Sequence, residues 1–111
     1  VWAEYAKKHP HVRFVFTHIG YYEFGMSTIE AVKDLPNVWV ETSGQMDVEV
    51  LKKAIAVLGS KRVCFGTDWP YKPVNMEISK FYELELTEEQ RADIFYRNAE
   101  KLWKRVREEQ I

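Results

Sequence analysis

Three short apolar runs, each followed by a glycine or by a polar loop, limit the fold of this chain more than any other feature. The runs are Val12–Ile19, Asn37–Ser43 and Lys61–Gly66. Each is rich in β-branched and aromatic residues and too short for a typical helix. Their length and composition therefore predict three β-strands.

Helical periodicity fills the segments around these runs. Trp2, Tyr5 and Ala6 share one face of a first helix, which must end before Pro10. A second helix is predicted over Ser27–Leu35, with Ser27 as its N-cap and a glutamate at the capping-box position three residues later.

Three further helices begin at residues with capping side chains. Asp47 and Gly59 bound a helix with one apolar stripe, and Thr87 opens a capping box with Gln90. Asn98 is predicted to cap a last helix. The residues predicted to face the core from that helix are Ala99, Leu102, Trp103 and Val106.

Strands separated by helices of this length are normally parallel, with right-handed crossovers. Parallel sheets are usually covered on both faces, and three strands leave two unpaired edges. We therefore predict an α/β fold in which residues 1–111 form a single partial domain of a larger parallel sheet. Since the chain begins at Val1 and its first methionine is Met26, we expect a non-ATG start or a segment of a longer protein.

Composition excludes several classes of function. Sixteen Lys and Arg against seventeen Asp and Glu give a net charge of -1, so no basic excess favours nucleic-acid binding. One cysteine, Cys64, permits no internal disulfide and suits a cytoplasmic location. No apolar run is long enough for a membrane span, and the first residues do not resemble a secretory signal.

Polar residues follow each predicted strand at its carboxyl end, where parallel α/β folds place their functional groups. The segments are Thr17–Gly20, Glu41–Gly44 and Gly66–Tyr71. For Glu41 and Ser43, a structural role is the simpler interpretation. The sequence therefore predicts that a site, if present, lies in these three loops.

His18 and Asp68 are the candidate catalytic and metal-binding residues of these loops. An imidazole can bind a metal or exchange a proton near neutral pH, and a carboxylate can bind a divalent cation and accept a proton from its water. The alternatives are a histidine bonded to a carbonyl group in the core and an aspartate that caps a turn before Pro70. Trp69 and Tyr71 could line a pocket or simply pack a turn.

The remaining cysteine and histidines are not predicted to be functional. Cys64 lies within an apolar strand, so we interpret it as an inert small hydrophobic residue. His9 and His11 flank Pro10 in a polar loop at the opposite end of the strand from His18, and we predict that both lie on the surface.

Four segments together resemble the amidohydrolase-related, metal-dependent hydrolases of the type that includes aminocarboxymuconate-semialdehyde decarboxylase. They are His9–Gly20, Asn37–Gly44, Leu58–Pro70 and Leu86–Leu102, and the Gly66–Pro70 run is among the most specific. The resemblance implies a (β/α)8 TIM barrel. Three parallel strand-helix units of this chain would then correspond to strands 6 to 8, followed by a C-terminal helix.

The resemblance also implies roles for individual residues. His18 matches the sixth-strand histidine, which polarises substrate and in some members touches the metal. Asp68 matches the eighth-strand aspartate, which binds the metal and acts as general base. Tyr21 stands where the family commonly has glycine, so we expect Tyr21 and Trp69 to contact the substrate. The family's first-strand His-x-His pair and fifth-strand histidine have no counterpart in these 111 residues.

Two hypotheses follow. In the first, the chain is the C-terminal segment of a metal-dependent hydrolase or decarboxylase, with zinc as the expected metal and manganese as the second choice. Its substrate would be a small carboxylate, ester or lactone, and its partner a second copy or the missing barrel half. In the alternative, the chain is a non-catalytic α/β module that self-associates through its open sheet edges.

Overall fold

The computed structural model describes the backbone of residues 1–110 and the side chains of residues 1–21 and 23–104. Three strands form one parallel sheet in the order β1–β2–β3. They are β1 (Phe14–Phe16), β2 (Val38–Glu41) and β3 (Val63–Cys64). The predicted strands and their parallel arrangement are confirmed.

Each strand is shorter than the apolar run that predicted it. Before β1, the Val12 amide donates to the His9 carbonyl group in a turn. After β1, His18 adopts a left-handed backbone conformation with φ of 58°. The ends of the apolar runs therefore leave the sheet to form the loops that hold the candidate residues.

Helices surround the sheet. The α-helices of residues 1–110 are α1 (Trp2–Lys8), α2 (Gly25–Val32), α3 (Val48–Leu58), α4 (Val74–Ser79), α5 (Glu88–Ala92) and α6 (Asn98–Gln110). Short 3-10 turns lie at Thr17–Gly20, Tyr22–Phe24, Ser60–Arg62 and Lys80–Glu83, and a π-helical turn, Asp93–Arg97, joins α5 to α6. None of these helices is both long and apolar enough to cross a bilayer within the described residues.

Two of the predicted helix caps are confirmed. The Asp47 side chain accepts a hydrogen bond from the Glu49 amide at 2.9 Å, and Thr87 forms a reciprocal capping box with Gln90. Helix α3 ends at Gly59, as predicted. These caps are contacts between residues two or three positions apart, which explains why sequence alone located them.

Two other predicted caps are wrong. Helix α2 begins at Gly25, and the Ser27 hydroxyl donates to the Phe24 carbonyl group instead of capping. Gly25 packs against Val50, where any Cβ would clash, so a glycine at the first position of α2 allows the close approach of α2 to α3. Asn98 lies within continuous helix, and its side-chain amide donates to the carbonyl groups of Ser60 and Val63.

The core lies between the sheet and helices α2 and α3. Ile19, Ile29 and Leu51 are among its largest buried side chains. The prediction for the last helix is wrong in part, since Ala99 is exposed and Trp103 is 64% exposed. Helix α6 contacts the sheet at its first residue, where the Asn98 amide donates to the Val63 carbonyl group of β3. The side chain of Val106 lies outside the described residues.

Two polar side chains, one just before β2 and one just before β3, donate hydrogen bonds to carbonyl groups at the amino end of the sheet. The Arg62 guanidinium donates to the carbonyl groups of Val32, Lys33, Leu35 and Val38 at 2.7–3.0 Å. The Asn37 amide donates to those of Ala6, His9 and Val12. Burial lowers the pKa of Arg62, but a guanidinium remains charged in proteins. These bonds fix the amino end of the sheet, opposite the candidate site.

Candidate active site

The loops that follow the three strands meet at the carboxyl edge of the sheet. They consist of residues 17–21 after β1, residues 42–45 after β2 and residues 65–73 after β3. Because all three strands are parallel, these loops share one edge. The structure therefore brings the three predicted segments to one side of the molecule.

The His18 ring is held by the loop that follows β2. Its Nδ1 atom lies 2.6 Å from the carbonyl oxygen of Ser43 and 3.2 Å from the Ser43 hydroxyl. A carbonyl oxygen can only accept, so Nδ1 must carry the proton. Nε2 then has a free lone pair, and no hydrogen bond occupies it among the described residues. This tautomer suits either metal binding or proton transfer at Nε2.

Glu41 connects His18 with the loop after β3. Its carboxylate accepts from the Ser43 amide at 2.6 Å, from the Ser43 hydroxyl at 2.8 Å and from the His18 amide at 3.4 Å. Gly66 packs directly against the same carboxylate, where a Cβ would overlap it. The sequence predicted a structural role for Glu41 and Ser43 but did not predict that both bind His18. His18 lies more than 20 positions away from either residue, so no local pattern could indicate this contact.

Asp68 lies in the loop after β3 and is exposed. Its carbonyl group accepts from the Tyr71 amide, so the backbone turns at this position. The neighbouring Trp69 is 72% exposed, and its amide donates to the Thr67 hydroxyl. No hydrogen bond joins Asp68 to His18 in the described part of the chain, whereas Tyr21 contacts the His18 ring edge-on with centroids 5.7 Å apart.

Strained backbone is concentrated in these loops. Within residues 1–110, the non-glycine residues with positive φ are His18 (58°), Ile19 (46°), Tyr21 (86°) and Asp68 (57°). Such conformations cost about 1–3 kcal/mol each and persist where the surrounding structure imposes them. Both candidate catalytic residues are among these four.

Lys72, which no sequence pattern singled out, also packs beside the His18 ring. A Cβ on Gly44 would lie 3.0 Å from His18 Nδ1 and 3.3 Å from Lys72 Cε, so both side chains pack over this glycine. No ion pair joins the Lys72 ammonium to another residue with a described side chain. The half-buried Lys72 ammonium places one positive charge at this edge, which also carries the carboxylates of Glu41 and Asp68.

The donor atoms provide only part of a metal site. His18 Nε2 and the Asp68 carboxylate are ligands that zinc and manganese accept, but a catalytic zinc commonly has three protein ligands. No group of three His, Cys, Asp or Glu within the described residues could hold a metal ion. The described residues therefore do not form a metal centre by themselves.

The other residues singled out from the sequence lie apart from this edge or are buried. His9 and His11 are exposed, as predicted. Cys64 is buried, and burial together with the Glu41 charge raises the pKa of its thiol to about 11, which agrees with an inert residue. A groove of about 440 Å³ between Phe81, Tyr82 and Phe95 lies among the helices and includes none of the candidate residues.

Comparison with known proteins gives matches to one family. The family model described as amidohydrolase matches residues 3–105. Gamma-resorcylate decarboxylase from Rhodococcus jostii is 37% identical over 68 residues, and the enzyme from Polaromonas sp. is 32% identical over 68 residues. Each alignment covers 61% of this chain and 21% of the relative, so the aligned segment spans about a fifth of those proteins.

Solved structures show the same fold. A 2,6-dihydroxybenzoate decarboxylase in complex with 2,6-dihydroxybenzoate matches 92% of this chain and 40% of its own, with a TM-score of 0.72 and 21% identity. A manganese-bound dihydroxybenzoic acid decarboxylase from Polaromonas sp. matches with a TM-score of 0.72 and 22% identity over 92% of this chain and 39% of its own. A zinc-bound amidohydrolase from Burkholderia multivorans matches with a TM-score of 0.73 and 20% identity. The match covers 89% of this chain and 46% of that structure's chain. The three parallel strands and their helices thus correspond to part of a TIM barrel.

Proposed function

Because the chain belongs to the amidohydrolase family, whose model matches residues 3–105, we propose that it supplies part of the active site of a metal-dependent decarboxylase. The substrate would be a small aromatic carboxylate. The observation that carries this proposal is the fixed tautomer of His18, with Nδ1 bonded to the Ser43 carbonyl oxygen and Nε2 free. Relatives named as gamma-resorcylate decarboxylases support decarboxylation over hydrolysis.

His18 and Asp68 would divide the chemistry between them. Decarboxylation breaks the bond between the ring carbon and the carboxylate, releases CO₂ and places a proton on that carbon. The exposed Asp68 carboxyl group would hold this proton and deliver it. His18 would be a ligand of the metal through Nε2, because its Nδ1 is already occupied.

Other residues at the same edge suit a planar anionic substrate. The Lys72 ammonium would attract the carboxylate, since its side chain lies beside His18 over Gly44. Trp69 and Tyr21 would flank the ring, because both are exposed aromatic side chains on these loops.

A divalent metal would need donors beyond the described residues. A bound metal would act as a Lewis acid toward an oxygen of the substrate. We propose that His18 and Asp68 contribute to such a site, and that its other ligands come from outside this segment. Zinc remains our first choice and manganese our second, and structures of related fold are described with either metal.

The first experiment is a titration of the ¹⁵N-labelled chain with Mn²⁺ alone, followed by NMR. Paramagnetic broadening should concentrate on residues 18 and 68, and His18→Ala or Asp68→Asn should abolish this preference. Matched controls are His11→Ala and Asp34→Asn, which alter an exposed residue of the same type elsewhere. Broadening that is centred elsewhere and unchanged in His18→Ala would refute a shared metal role.

The second experiment tests the substrate class with 2,6-dihydroxybenzoate. Binding should shift the resonances of residues 18, 69 and 72, and Lys72→Met should weaken it about tenfold, as expected for loss of one partly desolvated charge contact. Lys52→Met on α3 is the control, because Lys52 lies in an exposed ion pair with Glu49. Equal affinity in Lys72→Met would remove Lys72 from the proposal. In an assembly of this chain that shows activity, two assays would distinguish the reactions. Release of CO₂ from 2,6-dihydroxybenzoate would indicate decarboxylation, and cleavage of an aryl ester would indicate hydrolysis.

The alternative of a non-catalytic, self-associating module rests on the outer edge of β1. Val15 in this strand is 45% exposed, and Trp2 and Tyr21 near it are also exposed. Pairing between copies at this edge should make the sedimentation coefficient depend on concentration. Val15→Lys should abolish that dependence, because charge on an edge strand opposes such pairing. This outcome, together with no preferential Mn²⁺ broadening, would favour the alternative.

A further inference from the structure

A buried ion pair lies in the helical turn after the Asp68 loop. Glu77 on α4 is 1% exposed, Lys80 just after α4 is 6% exposed, and Glu77 Oε2 lies 2.5 Å from Lys80 Nζ. Neither residue belongs to the candidate site described above. Burying two charges is costly unless they are paired and hydrogen-bonded, so the contacts of this pair require an explanation.

The contacts of the pair all reach the loop after β2. Glu77 Oε1 accepts from the Gly44 amide at 2.9 Å. Lys80 Nζ donates to the carbonyl groups of Thr42 at 2.7 Å and of Gln45 at 2.9 Å. The pair therefore holds the residues on both sides of Ser43.

We propose that Glu77 and Lys80 are positioning residues that set the orientation and tautomer of His18 through the loop after β2. Ser43 supplies the carbonyl oxygen that accepts from His18 Nδ1. Glu77 binds the Gly44 N–H of that same peptide group, and Lys80 binds the Thr42 carbonyl oxygen of the preceding peptide group. The pair is thus one residue removed from the hydrogen bond that leaves Nε2 free. The importance of His18 itself rests on the proposed function.

The same pair also fixes one end of the Asp68 loop. Residues 65–73 run from the end of β3 to the start of α4, and α4 carries Glu77. By binding the loop after β2, Glu77 and Lys80 hold α4, at the end of the Asp68 loop, against the loop that carries Ser43. An apolar replacement could fill the same volume, but it could neither accept from the Gly44 amide nor donate to two carbonyl groups.

The test is the double variant Glu77→Gln/Lys80→Met in the full chain. Glutamine can still accept from the Gly44 amide, while methionine removes the donors to Thr42 and Gln45, and no unpaired charge remains buried. The readout is the pair of His18 ring ¹⁵N resonances, which separate widely when one tautomer dominates. The matched control is Glu49→Gln/Lys52→Met, because Glu49 and Lys52 form an ion pair at the same spacing on the exposed face of α3.

We expect the double variant to narrow the separation between the His18 Nδ1 and Nε2 resonances, and the control to leave it unchanged. An unchanged separation in the folded double variant would overturn the proposal. If the double variant does not fold, Glu77→Asp decides the question, since it keeps both charges but shortens the reach to Gly44. Glu77→Asp should also shift the His18 resonances, and the absence of any shift would overturn the proposal.

This readout needs neither metal nor substrate. Failure of the Mn²⁺ and 2,6-dihydroxybenzoate experiments would therefore refute the proposed function without affecting the positioning role. Conversely, unchanged His18 resonances would refute the positioning role even if metal and substrate bind.

Discussion

The Nδ1 atom of His18 lies 2.6 Å from the carbonyl oxygen of Ser43, and this contact joins the loops that follow β1 and β2. The two residues are 25 positions apart, and they meet because β1 and β2 are paired in parallel with Phe16 opposite Val40. The acceptor is a main-chain atom, so substitution of the Ser43 side chain alone cannot remove it. The ring is therefore oriented by the backbone of a neighbouring loop.

The first prediction concerns the tautomer of His18. When its ring is neutral, His18 should populate the form with the proton on Nδ1, because the Ser43 carbonyl oxygen can only accept. Long-range ¹H–¹⁵N NMR spectra measure this directly, and the exposed His9 and His11 serve as internal references. A neutral ring protonated mainly on Nε2 would contradict the arrangement.

The second prediction compares two glycines with positive φ. Gly44 and Gly59 have φ of 73° and 80°, but a Cβ on Gly44 would meet His18 Nδ1 at 3.0 Å, whereas one on Gly59 would meet nothing within 4 Å. Each alanine variant should lose about 1–3 kcal/mol of unfolding free energy from its positive φ. Gly44→Ala should lose about 1 kcal/mol more from crowding and should shift the His18 resonances. Urea denaturation and NMR would measure both effects, and equal losses without a His18 shift would refute this contact.

The third prediction concerns Arg62, whose guanidinium donates to four carbonyl groups from α2 to β2. Arg62→Met should lower the free energy of unfolding by about 3 kcal/mol, because hydrogen bonds from a charged donor are lost and carbonyl groups lose their partner. Lys61→Met is the control, since Lys61 is exposed, and its loss should stay within about 0.5 kcal/mol. Similar midpoints for both variants in urea would contradict the proposed role of Arg62.

The fourth prediction concerns Cys64, the single cysteine of the chain. Burial and the Glu41 charge raise the pKa of its thiol from 9.0 to about 11. At pH 8 the thiolate is then about 100-fold rarer in the folded chain, so alkylation should be at least that much slower than in denaturant. A native rate within about tenfold of the denatured rate would place Cys64 in a more open environment than the structure gives it.

The same shift predicts a dependence of stability on pH. Between pH 9 and about 11 the folded chain retains a proton that the unfolded chain releases, so the free energy of unfolding should fall as pH rises through this range. Cys64→Ala should remove this contribution, and comparison of its unfolding curves with those of the original chain isolates the effect. Identical slopes in the two proteins would show that the thiol does not contribute.

Local features of this chain could be predicted from the sequence because they depend on residues a few positions apart. The alternation of apolar runs and helical stripes predicted three parallel strands, and the Asp47 and Thr87 caps were correct. The Gly66–Pro70 run supported the resemblance to the amidohydrolase family, to which the chain belongs. The assignment of His18 and Asp68 as catalytic and metal-binding residues remains a prediction.

Features that join distant parts of the chain were decided by the tertiary structure. Asn98 and Ser27 have capping side chains, but both lie within helices and bond to carbonyl groups instead. Trp103 is exposed, although its helical spacing predicted that it faces the core. The sequence predicted no helix or strand between Tyr71 and Leu86. In the structure, Glu77 and Lys80 of this segment are buried and bind the residues on either side of Ser43. Local patterns determine where hydrogen-bonded segments begin and end, because their partners lie within a few residues. Which side chain meets which loop across 30 or more positions depends on strand register and helix packing, and only the folded chain contains that information.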